Sequence, residues 1–254
     1  MNQADLLAAW KLEEAQPFTG WDFSYLDGRM TQDELPWDYV DRAMALMGNA
    51  SSMLDMDTGG GERLLEMRPR WAGRVVATEE YPPNLALATA RLAPLGVDVR
   101  DVAISDDGPM PFGDGEFDLV LNRHSAFNAG EVARVLAPGG SFLTQQVHGM
   151  WAWDLQEVFG ASPQWPNATP AHYVPRLQKA DMEIVQVQEW SGQTHFADVG
   201  AIVYYLRATP WEVPGFSVAT HQAGLFALQE RLERMGDLAF FAGYYLIEAC
   251  KSLA

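Results

Sequence analysis

Met53-Leu-Asp-Met-Asp-Thr-Gly-Gly-Gly-Glu62 is an apolar run that ends in two carboxylates and three consecutive glycines. The run begins at Ser51, and the carboxylates are Asp55 and Asp57. Glu62-Arg-Leu-Leu-Glu-Met67 follows with helical spacing. Strand, tight glycine turn and helix is the reading. Without a Cβ, such a turn lets the backbone come close to a ligand, and the helix start points free N–H groups at it. Two nucleotide motifs are excluded by the spacing. A dinucleotide fingerprint needs Gly-x-Gly-x-x-Gly, but Glu62, Arg63 and Leu64 follow Gly61. No Gly-Lys-Ser/Thr completes a P-loop.

The flanking sequence alternates strands and helices. Upstream, Leu6 to Leu12 is an amphipathic helix, and Phe18 to Leu26 is an aromatic, glycine-broken loop. Pro36 starts a helix with Trp37, Val40, Met44 and Met47 on one face, which Gly48-Asn49 ends. Downstream, Arg74 to Thr78 is a buried-type strand with Glu79 at its carboxyl end. Pro82-Pro83 open a helix through Leu92, and a third strand starts at Val97 and extends to Ile104. Phe117 to Leu121 is a fourth strand, with Asn122-Arg123-His124 at its end. A helix over Ala129 to Leu136 and the turn Pro138-Gly139-Gly140 lead to a fifth, Ser141 to Val147. This alternation implies a parallel sheet with right-handed crossovers, in which ligands bind at the carboxyl ends of the strands. After residue 150 come helices at Trp151–Phe159 and Tyr173–Ala180 and an alternating edge strand from Met182 to Gln188. An insertion follows, with helices near Val199–Leu206 and Gln222–Met235, and then a last strand, Tyr244 to Ala249.

The 254 residues suit one large α/β domain with an appendage, or two small domains, and 48% hydrophobic with 20% charged residues reads as globular. A formal charge of −17 opposes phosphate backbones and disfavours a nucleic-acid partner. Cys250 is the only cysteine, so no intrachain disulfide and no cysteine-based zinc site can form. The start of the chain lacks the marks of a signal peptide, and no apolar run has the length of a membrane span. A cytoplasmic protein is the expectation. His124, His148, His172, His195 and His221 are scattered without a metal-binding spacing, so no metal is expected.

Taken in order, these motifs resemble those of the class I S-adenosylmethionine (SAM)-dependent methyltransferases. Asp55, Gly59 and Gly61 match the Asp/Glu-x-Gly-x-Gly-x-Gly of motif I, with Asp57 where the first glycine is usual. Glu79 follows at about the 20-residue spacing of a ribose-binding carboxylate. Asp106 with Met110-Pro111-Phe112 resembles the family's Asp-Ala-x-x-Leu-Pro-Phe stretch, whose acid lies near the adenine; Asp101 competes for that role. Phe117-Asp-Leu-Val120 resembles motif IV, and Val135-Leu-Ala-Pro-Gly-Gly140 the turn before strand five. The likeness covers roughly residues 50–148 and the final strand.

The resemblance implies an α/β, Rossmann-like, mostly parallel sheet of seven strands, order 3-2-1-4-5-7-6, with strand seven antiparallel. Residues 1–49 would be a helical segment and lid, 50–190 the SAM-binding core, 191–240 a lid insertion and 241–254 the final core strand. It implies SAM held by Asp55, Asp57, Thr58, Gly59, Gly60, Gly61, Glu79, Asp106 and Asn122. Its methionine carboxylate would meet the helix start after the glycines, and its ammonium group Asp55 and Asp57. Methyl transfer would occur beside Asn122, Arg123 and His124, with His124 a candidate general base. Gln145 and Gln146, at the end of strand five, face the same place, or one of them is merely edge-exposed. Trp21, Trp37, Trp151, Trp153 and Trp211 are candidates to line a small, largely apolar acceptor site. The expected reaction is methylation of a small molecule on oxygen or nitrogen. Alternatives are an inactive SAM-fold binding or scaffold protein, because of Asp57, and a nucleic-acid methyltransferase. The sequence leaves the oligomeric state open.

Overall fold

The structure is a computed structural model that describes residues 2–18, 21–71 and 73–253. Thr19 and Gly20 of the aromatic loop lie outside the described residues. The elements run α1 (Gln3–Glu14), β1 (Met30–Gln32), α2 (Tyr39–Met47), β2 (Ser52–Met56), α3 (Glu62–Glu66), β3 (Arg74–Glu79), α4 (Pro82–Leu92) and β4 (Asp98–Asp101). They continue with β5 (Phe117–Arg123), α5 (Ala129–Val135), β6 (Leu136–Val147), α6 (Trp153–Val158), α7 (Pro170–Lys179), β7 (Met182–Phe196), α8 (Val199–Ala208), α9 (Gln222–Met235) and β8 (Leu238–Lys251).

The chain divides into two compact units. One comprises Leu35–Val147, Ala168–Trp190 and Tyr244–Ala254; the other Met1–Glu34, His148–Asn167 and Ser191–Gly243. In the first, β2 pairs in parallel with β3 and β5, β3 with β4, and β5 with β6, whereas β8 runs antiparallel to β6. Consecutive strand residues point to opposite faces, so Met53, Leu119, Leu121 and Leu143 pack with Tyr39, Ala43 and Met47 of α2 and with Leu64, Ala88 and Leu92. Leu54, Met56, Val120 and Phe142 pack on the other face with Val132 and Ala133 of α5 and Leu177 of α7. Helices on both faces explain why these strands read as continuous apolar runs.

Among the described residues the sheet has eight strands in the order β1-β7-β8-β6-β5-β2-β3-β4, where seven were expected. The added strand is Met30–Gln32, which pairs antiparallel with Thr194–Phe196 of β7. Three residues are too few to show a period of two, so the sequence concealed it. Other boundaries shift as well. The helix expected from Pro36 starts after Asp38, whose carboxylate accepts the Asp41 N–H at 3.0 Å. The third strand stops at Asp101 rather than Ile104. β7 and β8 are 15 and 14 residues long, so both ends of the stretch read as an insertion are strand.

In the second unit Leu6 and Trp10 of α1 are buried, and α8 is buried along almost its whole circumference. Arg29 bridges Glu13 at 2.9 Å and Asp198 at 2.7 Å. Asp198 also accepts the Ala201 N–H at the start of α8. Among the described residues no helix is long and apolar enough to cross a membrane.

Candidate functional site

The glycine loop is anchored from the neighbouring strand. Thr78 Oγ1 accepts the Asp57 N–H at 3.1 Å, the Thr78 carbonyl accepts the Thr58 N–H at 2.8 Å, and the Gly61 N–H turns back to the Thr58 carbonyl at 3.2 Å. Asp57 has a φ of +53°, a left-handed conformation that aspartate tolerates better than most residues. It therefore adopts the backbone shape for which glycine is usual. Gly61, at φ +84°, disfavours a side chain twice over: the backbone conformation would be strained, and a Cβ would lie 2.8 Å from Leu92 Cδ1 of α4, which would have to shift. Gly59, at φ +64°, faces open space, with nothing within 4 Å of a built Cβ. Arg91 donates to the Gly60 carbonyl at 2.8 Å and also pairs with Glu62. Among the described residues the Gly59 and Gly60 N–H groups have no partner. α3 has only five residues, so these free amides outweigh any helix dipole as an anion-binding feature.

Three carboxylates surround the loop. Asp55 is buried, and burial pushes its pKa up to about 6 against the opposing pull of the Thr58 hydroxyl and Arg123. Asp57 is pushed up to about 7, first by burial and further by Glu79, Glu80 and Asp55, with the Ser125 hydroxyl opposing. Its Oδ1 is buried with no hydrogen-bond partner. Thr58 Oγ1 is also buried, close enough to favour the charged form of Asp55 without completing a hydrogen bond of ordinary geometry. Glu79 is buried, accepts the Tyr81 N–H at 2.8 Å, and stands opposite Asp101 in the β3–β4 register. Asp106 is exposed in the loop after β4, where its charge acts on His172 and Tyr173. Its side chain makes no hydrogen bond to the glycine loop.

The end of β5 carries two different arrangements. Asn122 is fully buried: Nδ2 donates to Ser125 Oγ at 2.6 Å, and Oδ1 accepts from Thr144 Oγ1 at 2.8 Å and from Gln146 Nε2. Arg123, on the α2 face, has its pKa lowered by burial and by Arg63, while Tyr39, Tyr244 and Asp55 raise it. No carboxylate makes an ion pair with Arg123 among the described residues. His124 has a φ of +61° and stacks on Tyr244, centroids 5.5 Å apart at 28°. Trp37 Nε1 donates to Gln145 Oε1 at 2.8 Å, and Gln145 Nε2 lies 3.1 Å from His124 Nε2. Burial, then Arg123 and Arg63, holds the imidazole well below its usual pKa. The residue nonetheless keeps exposed surface.

Thr78, Arg91, Tyr39 and Ser125 were not singled out from sequence. Their placement comes from tertiary pairing, as when Tyr39 donates its hydroxyl to the Asn122 carbonyl at 3.3 Å. The tryptophans fall in different units. Trp37 joins the network at His124, whereas Trp21 and Trp211 pack on each other, centroids 5.6 Å apart, in the other unit. Trp151 donates to the Tyr205 hydroxyl at 2.8 Å, and Trp153 is exposed. No group of metal-binding side chains occurs among the described residues.

Residues 54–144, which contain the loop and the β5 end, match the family described as a methyltransferase domain. This part of the chain is thus similar to methyltransferase domains, and the motifs singled out from sequence lie within it. The demethylmenaquinone methyltransferase of Thermus thermophilus is 35% identical over 115 residues, covering 42% of this chain and 52% of the relative. The match thus spans about half the length of that curated relative. A candidate methyltransferase from Bacillus halodurans superposes with a TM-score of 0.59 at 18% identity, over 84% of this chain and 97% of the other. A protein of unknown function from Deinococcus radiodurans gives 0.58 at 17%, over 97% of each chain. The [4+2]-cyclase SpnF gives 0.51 at 19%, over 84% and 82%. At such identities the likeness is one of fold, and a fold does not fix the reaction.

Proposed function

We propose that the chain is a SAM-dependent methyltransferase acting on a small-molecule acceptor in the cytoplasm. One observation carries this reading. Asp57 Oδ1 is buried without a partner, next in the chain to a turn whose Gly59 and Gly60 amides are unbonded. Buried polar groups are normally satisfied, and an orphaned carboxylate oxygen beside free N–H groups suits an amino acid's ammonium and carboxylate. The amino-acid end of SAM has both. Asp55 and Asp57 would hold its ammonium group, the amides its carboxylate, and Glu79 the ribose hydroxyls. Bound there, SAM supplies a methyl group already activated by its sulfonium. The chain then has to align an acceptor oxygen or nitrogen and exclude water. Arg123 and His124 stand on the strand end where that acceptor would lie. Asp106 and Asp101 are candidates for the adenine. Residues 1–49 and 191–240 are assigned the role of a lid over the acceptor. The charge of −17 favours a small acceptor over a nucleic acid.

The test has two stages. Calorimetric titration with SAM should show saturable binding, and radioactive methyl groups should pass from SAM into a metabolite extract. Binding without transfer would make the chain a SAM-fold binding module. Label in RNA but not in the small-molecule fraction would make it a nucleic-acid enzyme.

A further inference from the structure

Resting on that reading, we propose that Arg123 and His124 form an oxyanion site, so that the acceptor reacts as a deprotonated hydroxyl or carboxylate and His124 acts as a hydrogen-bond donor, not as a base. The argument starts at Trp37. An indole Nε1–H can only donate, and it meets the Gln145 side chain at 2.8 Å. Gln145 must therefore turn its Oε1 to Trp37, which leaves its amide Nε2 to face His124 Nε2 at 3.1 Å. An amide nitrogen also only donates, so His124 Nε2 accepts and its proton resides on Nδ1. In this tautomer the basic lone pair is already engaged. What the ring offers a ligand is Nδ1–H.

Arg123 supplies the charge. It is the preceding residue on β5 and is largely desolvated, and no carboxylate pairs with it among the described residues. The charged or titratable groups acting on it are Arg63, which already pairs with Glu66 at 2.9 Å, the phenols Tyr39 and Tyr244, and the buried Asp55. Arg63 and Arg123 also both act on His124. A desolvated guanidinium without a counter-ion, next to a fixed N–H donor, is a receptor for an anionic oxygen. Phenols, enols and carboxylic acids meet that requirement. The acceptor's proton leaves to solvent as it binds. In the transfer, an oxyanion lone pair forms the new O–CH3 bond, and the electron pair of the broken S–CH3 bond stays on sulfur. No protein base takes part, and the anion and the sulfonium cancel to neutral products.

The probe is 4-nitrophenol, whose ionised form absorbs visibly, titrated into the whole chain across pH with and without S-adenosylhomocysteine. An opposite charge a few ångströms away lowers an acid's pKa by about 1–3 units, so wild type should favour the phenolate by about 10-fold or more. Arg123→Met should remove the preference while SAM binds as before. Arg123→Lys keeps the charge and should retain part of it, which guards against a folding defect in the first variant. Gln145→Glu can only accept from His124; it moves the proton to Nε2 and should weaken phenolate binding. Absence of phenolate binding by wild type would overturn the proposal. So would phenolate binding unchanged in Arg123→Met, or a fall in SAM affinity in Arg123→Met, since the guanidinium would then serve SAM itself. Phenolate binding without SAM binding would instead sink the methyltransferase reading and leave the oxyanion site standing.

Discussion

The carboxyl ends of β2, β5 and β6 hold two polar clusters of opposite character. Around Asn122, Ser125, Thr144 and Gln146 bond to one another, and the Asn122 oxygen and amide both find partners within the fold. Around Asp57 and Arg123, a buried carboxylate oxygen, two backbone amides and a desolvated guanidinium lack such partners among the described residues. The two clusters meet on β5, where Asn122 belongs to one and the next residue, Arg123, to the other. The closed one has used its hydrogen-bonding capacity to join strands; the open one leaves that capacity unused among the described residues. Polarity at a strand end is therefore a weak sign of function. Unused capacity is a stronger one.

The comparison can be broken by experiment. Gly59→Val should have the largest effect. A branched side chain at φ +64° is strained and would fill the open space beside the loop, so SAM binding should vanish from a calorimetric titration. A variant that titrates normally would remove the loop from the site. Next, Asn122→Leu should cost about 2–5 kcal/mol of stability, read as a lower denaturation midpoint, because Thr144, Ser125 and Gln146 lose buried partners. A folded Asn122→Leu chain that has also lost SAM affinity would place Asn122 in the open cluster. Glu79→Ala should leave the midpoint almost unchanged and weaken SAM by about 10-fold or more, the worth of a charged hydrogen bond of about 1.5–3 kcal/mol.

The smallest effect concerns protons. Asp57 stands at about 7 in the folded chain against an ordinary value of 3.8. A raised acid contributes stability that is complete below about 4 and lost as pH climbs through about 7. Asp57→Asn should flatten the stability profile of the ligand-free chain across that window. An ammonium group beside Asp57 would lower its pKa again, so SAM binding near pH 7 should release a fraction of a proton. Titrations in buffers of different ionisation enthalpy would show the release, and its absence would separate Asp57 from the ligand.

Much of the α/β unit could be read from sequence because each decisive feature is local. Apolar runs mark β2, β3 and β5, and the glycines mark the loop between β2 and α3. Glu79 could be placed at the end of β3 because the apolar run stops there. Arg91 escaped notice because it is one more polar residue on a helix; only folding brings it to the Gly60 carbonyl. Gln145 and Trp37 were visible as candidates, but not the hydrogen bond between them, which joins β6 to the segment before α2. Met30–Gln32 was unreadable because its partner, Thr194–Phe196, is distant in the chain and the strand itself is three residues long.

Two adjacent residues of α4 grip the glycine loop in different ways. Leu92 occupies the volume a side chain on Gly61 would need, and Arg91 holds the Gly60 carbonyl. The loop and the last turn of α4 thus form one unit of local unfolding: neither can open without releasing the other. In deuterated water the amides of Gly59 and Gly60, though unbonded, would gain a common slow phase with the end of α4 once a ligand covers them, so exchange rates at the end of that helix would report occupancy of the loop.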